Sequence, residues 1–462
     1  MAKVRVLVEI THSQPEAFAV RASLFDSPVD SVRASEGLLT NLAGFGLEVT
    51  DEFPPVPMFA DTVVQAETVG FSAFDSPETS PDAEAASVVV SCEVERSKLQ
   101  ELQAQAGVQV WPDAEITLFP DECCSCSLGF ESDDTEHPFD LARSNGGTDC
   151  RPFRPGVSIQ VIRQLLSVGA VWRDGFRGQN IVVGIVDEGV NGQVYPVVGG
   201  FSSSGSPRPG SAAITSHGSM CAADVLVAAP AAKLYDYPFM QSAYSGTSLR
   251  MFQAALDQRR LDGTPHILNN SWGFRWVSQA SSPAHPNWDA NHPFNRKVRE
   301  VVASGAAVFF AAGNCGQQCP SGNCVPGEIG PGKSILGPGS LKNVITVAAV
   351  NSRHERIGYS SQGPGYFTAQ KPDIASYSHL FGNFGPGRPG GNDPPFDNGT
   401  SAATPVATGV AALLRSALGP IPPEQLKQAL IQSAINLGVP GWDTDTGFGV
   451  INAGAAYALL RR

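Results

Sequence analysis

The chain has 462 residues, enough for two domains, the second of them with a single large core. With 31 basic against 44 acidic residues its net charge is −13, which argues against a nucleic-acid partner and for good solubility. No run of ~18 apolar residues is present, so no membrane partner is expected. The short N-terminal apolar run is interrupted by Glu9 and is not a signal peptide. The expected location is therefore cytoplasmic, or exported without a leader.

In chain order, residues 4–10 alternate like a half-buried strand. Residues 30–42 suit a helix, with Val32, Leu38, Leu39 and Leu42 near one face, and residues 47–49 a second strand. Residues 61–84, rich in Ser, Pro, Asp and Glu, read as a mobile acidic insertion. A strand at 87–94 follows, then a helix at 97–106 with Leu99, Leu102 and Ala106 facing inward. Strands at 108–111 and 116–119 complete a β-α-β-β-α-β pattern over residues 1–120. Residues 121–156 read as a flexible linker holding Cys123, Cys124, Cys126 and Cys150. The second domain covers 157–462.

That domain opens its chemistry at 182–186, a continuous apolar run expected of a parallel strand buried on both faces. The run ends in Asp187-Glu188-Gly189. A carboxylate at the carboxyl end of such a strand lies where open α/β sheets place their sites. Ser216 precedes a helix with His217 in its first turn, and 233–237 is the next strand. A further buried strand, 308–312, leads to Gly313 and the side-chain amide of Asn314. Last comes Gly399-Thr400-Ser401-Ala402-Ala403-Thr404-Pro405. Residues 405–418 read as a buried helix with Pro405 in its first turn, where a missing N–H costs nothing. Ser401 then sits at a helix N-terminus, whose free N–H groups favour an anion.

Taken singly, these residues are turn formers and helix caps. Together they supply a mechanism. A serine hydroxyl needs a base to take its proton. His217 is the candidate base and later acid, Asp187 the group that fixes its tautomer, and Asn314 with the Ser401 N–H the donors to a developing oxyanion.

With these motifs in this order, residues 159–460 resemble the subtilisin-like serine proteases, the subtilase family. The resemblance rests on the order Asp…His…Ser, on Val-Asp-x-Gly-Val, His-Gly-Ser, Asn270-Ser271-Trp272-Gly273, Ala-Ala-Gly-Asn, Lys371-Pro372-Asp373 and Gly-Thr-Ser-x-x-x-Pro. It implies an α/β, three-layer fold with a mostly parallel central sheet flanked by helices. It implies a monomeric serine endopeptidase that acts on polypeptides through an acyl-enzyme and requires no cofactor. Ser271, Trp272 and Gly273 form one wall of the primary specificity pocket and Ala311, Ala312 and Gly313 the other. These walls are small and apolar, so a large apolar or aromatic residue before the scissile bond is expected. Trp272 reads equally well as a core aromatic. A second edge at Ser245, Gly246 and Thr247 is expected to pair with an extended peptide as an added strand. Residues 315–339 complete the pocket floor in a way the sequence does not place.

Many subtilases carry a small propeptide ahead of the protease, a folding chaperone whose C-terminal tail inhibits the cleft. Residues 1–120 match that shape, a small ferredoxin-like α+β domain, with cleavage expected between Phe119 and Phe153. An unrelated ferredoxin-like binding module is the alternative. For the whole chain the alternatives are a dedicated maturation protease or peptide macrocyclase, and a non-catalytic or prodomain-locked scaffold.

Three departures stand out. Glu188 replaces the usual Ser or Thr and is expected to point away, since strand neighbours alternate. Ala402 replaces a common Met. The chain runs from His217 to the next strand without room for the family's calcium loop, so that site is expected to be missing; other calcium sites stay open. The nine cysteines are odd in number, leaving at least one thiol unpaired within the chain. A disulfide within residues 315–324 is expected, zinc is not, and Cys221 reads as a buried small hydrophobe. His266, His285, His292, His354 and His379 read as surface or loop residues.

Overall fold

The computed structural model describes residues 3–11, 48–49, 55–59, 85–118, 148–149, 156–202, 207–239 and 243–462. Strands β1 (Lys3–Thr11), β2 (Glu48–Val49), β3 (Val56–Phe59), β4 (Ala85–Glu95) and β5 (Val108–Pro112) form one sheet in which β1 lies between β4 and β5. Period-2 alternation gives it two apolar faces. Val6, Val8, Val88, Val90, Cys92 and Val94 pack under Leu102 of the short helix α1 (Leu99–Gln103). Leu7, Val56, Met58, Val89 and Trp111 face the second domain. The helix expected at 97–106 is shorter, a single 3-10 turn (Arg96–Lys98) followed by α1, and Ala106 is exposed. The helix read at 30–42, the acidic insertion at 61–84 and the cysteines of the linker lie outside the described residues.

One expectation is corrected. Strand β6 (Ile116–Leu118) does not join the N-terminal sheet; it pairs antiparallel with a strand of the second domain. The chain turns away at Asp113, whose Oδ1 accepts the Gly246 N–H at 2.7 Å and the Ser245 hydroxyl at 3.0 Å.

After β7 (Thr148–Asp149) and β8 (Val157–Ser158) come helices α2 (Ile159–Leu165) and α3 (Gly169–Arg173). The next elements are β9 (Val182–Asp187), β10 (Val197–Gly200), α4 (His217–Ala228), β11 (Lys233–Pro238), α5 (Ser245–Asp262), β12 (Ile267–Asn270), β13 (Trp272–Phe274) and α6 (Pro293–Ala303). The remainder is β14 (Ala307–Ala311), β15 (Ile345–Val350), β16 (Arg356–Ile357), β17 (Ile374–Tyr377), β18 (Leu380–Phe381), α7 (Gly399–Leu418), α8 (Pro423–Gln432) and α9 (Ala453–Leu460). The main sheet runs β10-β11-β9-β12-β14-β15-β16-β7, with β17 also on β15. Its strands from β10 to β15 are parallel. Both faces are covered, as continuous apolar strands demand. Val183, Ile185 and Phe309 face the side of α4 and α7. Val186, Leu268, Val308 and Phe310 face α5 and α6. This is the expected three-layer α/β arrangement. Among the described residues no helix is long and apolar enough to cross a membrane.

Helix α7 is buried from Gly399 to Arg415 and crosses the middle of the sheet. It begins six residues before Pro405, so the proline lies inside the helix and not in its first turn. The missing Pro405 N–H leaves the carbonyl of Ser401 without its helical donor. That carbonyl accepts instead from the Ser271 hydroxyl at 3.1 Å, with Cys221 Sγ at 3.7 Å. Gly409 allows α7 to cross α4, since a Cβ there would stand 2.2 Å from the Val225 carbonyl oxygen.

Behind β15 and β17 lies a buried ionic cluster. Asp373 accepts from Lys371 at 2.6 Å, from Lys427 at 2.8 Å and from the Thr346 N–H at 2.7 Å. Burial pulls the Lys371 ammonium down to about 7 against the opposing pull of Asp373. Removing the shared acceptor strips two buried amines of their counter-charge. Asp373→Ala is therefore expected to cost about 3–5 kcal/mol, read as a shift of the urea midpoint; a loss under about 1 kcal/mol contradicts this account.

Candidate active site

Asp187 ends β9, fully buried, and its Oδ1 accepts the Glu188 N–H at 2.7 Å. The same oxygen lies 2.7 Å from Nδ1 of His217, the first residue of α4. Ser216 caps that helix by accepting the Ser219 N–H at 3.2 Å. Gly218 permits the approach, because a Cβ would lie 2.4 Å from the Gly189 carbonyl oxygen. Ser401 lies in the first turn of α7, with its hydroxyl donating to the Ser271 carbonyl at 3.2 Å. His217 Nε2 is buried without a hydrogen-bond partner among the described residues.

Asn314 follows β14. Its Oδ1 accepts the Thr400 N–H at 3.0 Å and the Thr400 hydroxyl at 2.8 Å. Thr400 Oγ1 in turn accepts the Gly313 N–H at 3.2 Å. With its oxygen occupied this way, the Asn314 amide keeps its NH2 group as a donor beside Ser401. The Thr of Gly-Thr-Ser thus orients the asparagine, a role that the sequence reading missed.

Glu188 is also placed differently from expectation. It follows the strand's last residue, so alternation no longer governs it, and its carboxylate accepts the His217 N–H at 3.0 Å. It caps the helix that carries the imidazole. Burial raises its pKa, while the hydrogen bond from His217 opposes the rise. Cys221 is buried and free as expected, but it is more than filler. Four residues after His217 it shares that helix face, and its Sγ lies 3.7 Å from Asp187 Oδ2. Burial, then the nearby Asp187 charge, pushes the thiol up to about 11 and keeps it neutral.

Trp272, Gly273, Ala311, Ala312 and Gly313 line one cavity of about 260 Å³ that also touches Asn314. Ser271 braces Ser401 instead, through both its carbonyl and its hydroxyl. Trp272 is a core aromatic, as one of its two readings has it, and it also touches this cavity. It is 1% exposed, donates to the Val186 carbonyl at 2.8 Å, and meets Phe239, Phe274 and Phe310 edge-on, while its rim faces the cavity. The second edge is shifted: Ser245 and Gly246 start α5, and the pairing segment is Ala243 to Ser245. Ile116 N–H donates to the Ala243 carbonyl at 2.7 Å, and Ser245 N–H to the Ala114 carbonyl at 2.7 Å. Opposite, Thr117 pairs with Gly273 and Leu118 with Trp272. The chain's own residues 114–118 therefore lie between the two edges.

Loop 315–339 closes the cavity, and the expected disulfide joins Cys315 to Cys324. The five histidines read as surface or loop residues do lie in loops, yet His285, His292 and His379 are buried and His266 and His354 half-buried, so none of the five is a surface residue. Each is held by hydrogen bonding; His292 Nδ1 caps α6 by accepting the Phe294 N–H at 3.2 Å, and its Nε2 donates to the Pro112 carbonyl at 3.0 Å.

Comparison with known proteins agrees with this fold. Residues 178–449 match the model of the subtilase family of peptidases, and the chain belongs to that family. It is 30% identical to subtilisin DY of Bacillus licheniformis over 304 residues, 63% of this chain and 96% of that protein. To the alkaline elastase YaB of a Bacillus species it is 27% identical over 291 residues, 61% of this chain and 66% of that one. The crystal structure of fervidolysin from Fervidobacterium pennivorans, a keratinolytic enzyme related to subtilisin, superposes with a TM-score of 0.59 at 17% identity, covering 99% of this chain and 61% of that one. Family membership supports serine endopeptidase activity on polypeptides.

Burial alone would lower the His217 pKa, but the Asp187 carboxylate outweighs it, and the imidazole is held well above 6.5. A raised pKa means the ring stays protonated to higher pH, and it becomes a free base only above that value. NMR titration of the full chain is expected to show His217 titrating above 6.5 and falling in Asp187→Asn. A wild-type value at or below 6.5 overturns this reading.

Proposed function

We propose that the chain is a serine endopeptidase made in a covered form, with Ser401 as nucleophile, His217 as base and acid, Asp187 as the anchor of the imidazole, and Asn314 as oxyanion donor. The observation that carries this reading is the 2.7 Å Asp187–His217 contact, in a chain whose own strand lies between two edges as a peptide would. In the reaction, Ser401 turns from the Ser271 carbonyl to His217 Nε2, which takes its proton as the hydroxyl attacks the scissile carbonyl. The resulting oxyanion is met by the Asn314 NH2 and the Ser401 N–H at the positive end of α7. His217 then protonates the leaving amine, and water repeats the steps to release the acyl group. None of these steps calls for a cofactor.

The N-terminal sheet serves in this reading as an inhibitory prodomain. It docks on α5 and α6 through a shared apolar core, and Asp113 caps α5, whose own N-cap residue provides no side-chain acceptor. Residues 114–118 then fill the cleft, which favours a latent state until the chain is cut in the linker.

Intact masses and peptide-library digestion, wild type beside Ser401→Ala, test this. The wild type is expected to be cut between Phe119 and Phe153 and to digest peptides, and Ser401→Ala to remain whole and at least about a thousandfold less active. Equal full-length masses argue against self-processing, and digestion that survives in Ser401→Ala removes the proposed nucleophile.

A further inference from the structure

The two walls of the specificity pocket carry no charge, yet the cavity is not neutral. Loop 315–339 folds back behind Asn314: Ser321 N–H donates to the Asn314 carbonyl at 2.9 Å and Gly330 N–H to the Cys315 carbonyl at 3.0 Å. The Cys315–Cys324 disulfide locks this fold, and it brings Glu328 into the same cavity as Trp272, Ala311 and Gly313. A Glu328 carboxylate oxygen lies within 4.8 Å of the sulfurs of Cys315 and Cys324, next to the oxyanion asparagine. Its Oε1 accepts the Val325 N–H at 2.8 Å, and among the described residues no cation is paired with it. Arg275 is the single basic residue lining the cavity, and it is held at 2.9 Å by Glu115 of the docked segment.

We propose that Glu328 is a specificity-determining residue that selects substrates with lysine or arginine before the scissile bond. This rests on the serine endopeptidase reading and refines its substrate class. The aliphatic stem of either side chain lies along Trp272, Ala311 and Pro338, as such stems do on apolar surface. Its charged end meets the Glu328 carboxylate in a charge-assisted hydrogen bond. An aromatic side chain fills the walls but leaves the carboxylate unpaired, and an acidic one is repelled by it. Burial pushes the Glu328 carboxyl above its ordinary pKa against the opposing pull of the Val325 N–H, and a bound cation would draw it back down. The sequence of the walls alone pointed to large apolar residues; the acid comes from a loop whose path the sequence does not reveal.

The test uses the full chain and a peptide series that differs only before the scissile bond: Lys, Arg, Gln, Phe or Glu. In the wild type, kcat/KM for Lys and Arg is expected to exceed that for Gln by at least about tenfold, with Glu lowest. Glu328→Gln is expected to bring Lys down to the level of Gln while leaving Phe within about twofold, which guards against simple misfolding. Added salt is expected to lower the wild-type Lys-to-Gln ratio. Lys cleaved no faster than Gln overturns the proposal, as does a Glu328→Gln variant that loses Lys and Phe cleavage equally. Cleavage without a basic preference removes this proposal alone. Absence of Ser401-dependent cleavage across the series removes the endopeptidase reading with it.

Discussion

The arrangement depends on one buried crossing, helix α7 over the middle of the parallel sheet. Its residues are small wherever a neighbour comes close, and Gly409 sets the distance to α4. Its first turn carries Ser401, and the adjacent helix carries His217. Pro405 leaves the Ser401 carbonyl free of the helical ladder, and Ser271 and Cys221 reach for it from β12–β13 and from α4. One vacant backbone acceptor thus ties the serine to both the β12–β13 connection and the histidine helix. Apolar burial supplies most of the stability, while these few polar contacts fix where the reacting atoms lie.

The N-terminal sheet uses the same logic. Its apolar face merges with the core under α5 and α6, and polar groups then fix the register. Asp113 meets the first turn of α5, Glu9 pairs with Arg296 at 2.6 Å, and His292 at the start of α6 donates to Pro112. The segment that caps α5 continues directly into the strand that fills the cleft. In the proposed latent form, docking and covering are then one event, and loosening the cap is expected to loosen the cover.

Much of this was legible in the sequence because the fold places its chemistry at element ends. Asp187 closes a continuous apolar run, His217 opens a helix, Asn314 follows another run, and Ser401 precedes a small-residue helix. What was not legible depends on approach in three dimensions. Leu118 has the pattern of a sheet residue, but its partner Trp272 lies 154 positions away by residue number. Glu188 escapes strand alternation because the strand ends one residue earlier. Thr400 and Cys221 have ordinary local readings, and only their contacts with Asn314 and Asp187 give them a part. Glu328 sits in an irregular loop with neither helical nor strand period to project its direction.

In the proposed mechanism Ser401 is a base-activated nucleophile under a removable strand. The direct measurement is fluorophosphonate labelling followed by peptide mapping, in the wild type, in His217→Ala and in a chain loosened by Asp113→Ala. The expected result is label on Ser401 that increases in Asp113→Ala and is lost in His217→Ala. Absence of label on Ser401 in both the wild type and Asp113→Ala, or label that persists without His217, contradicts the account.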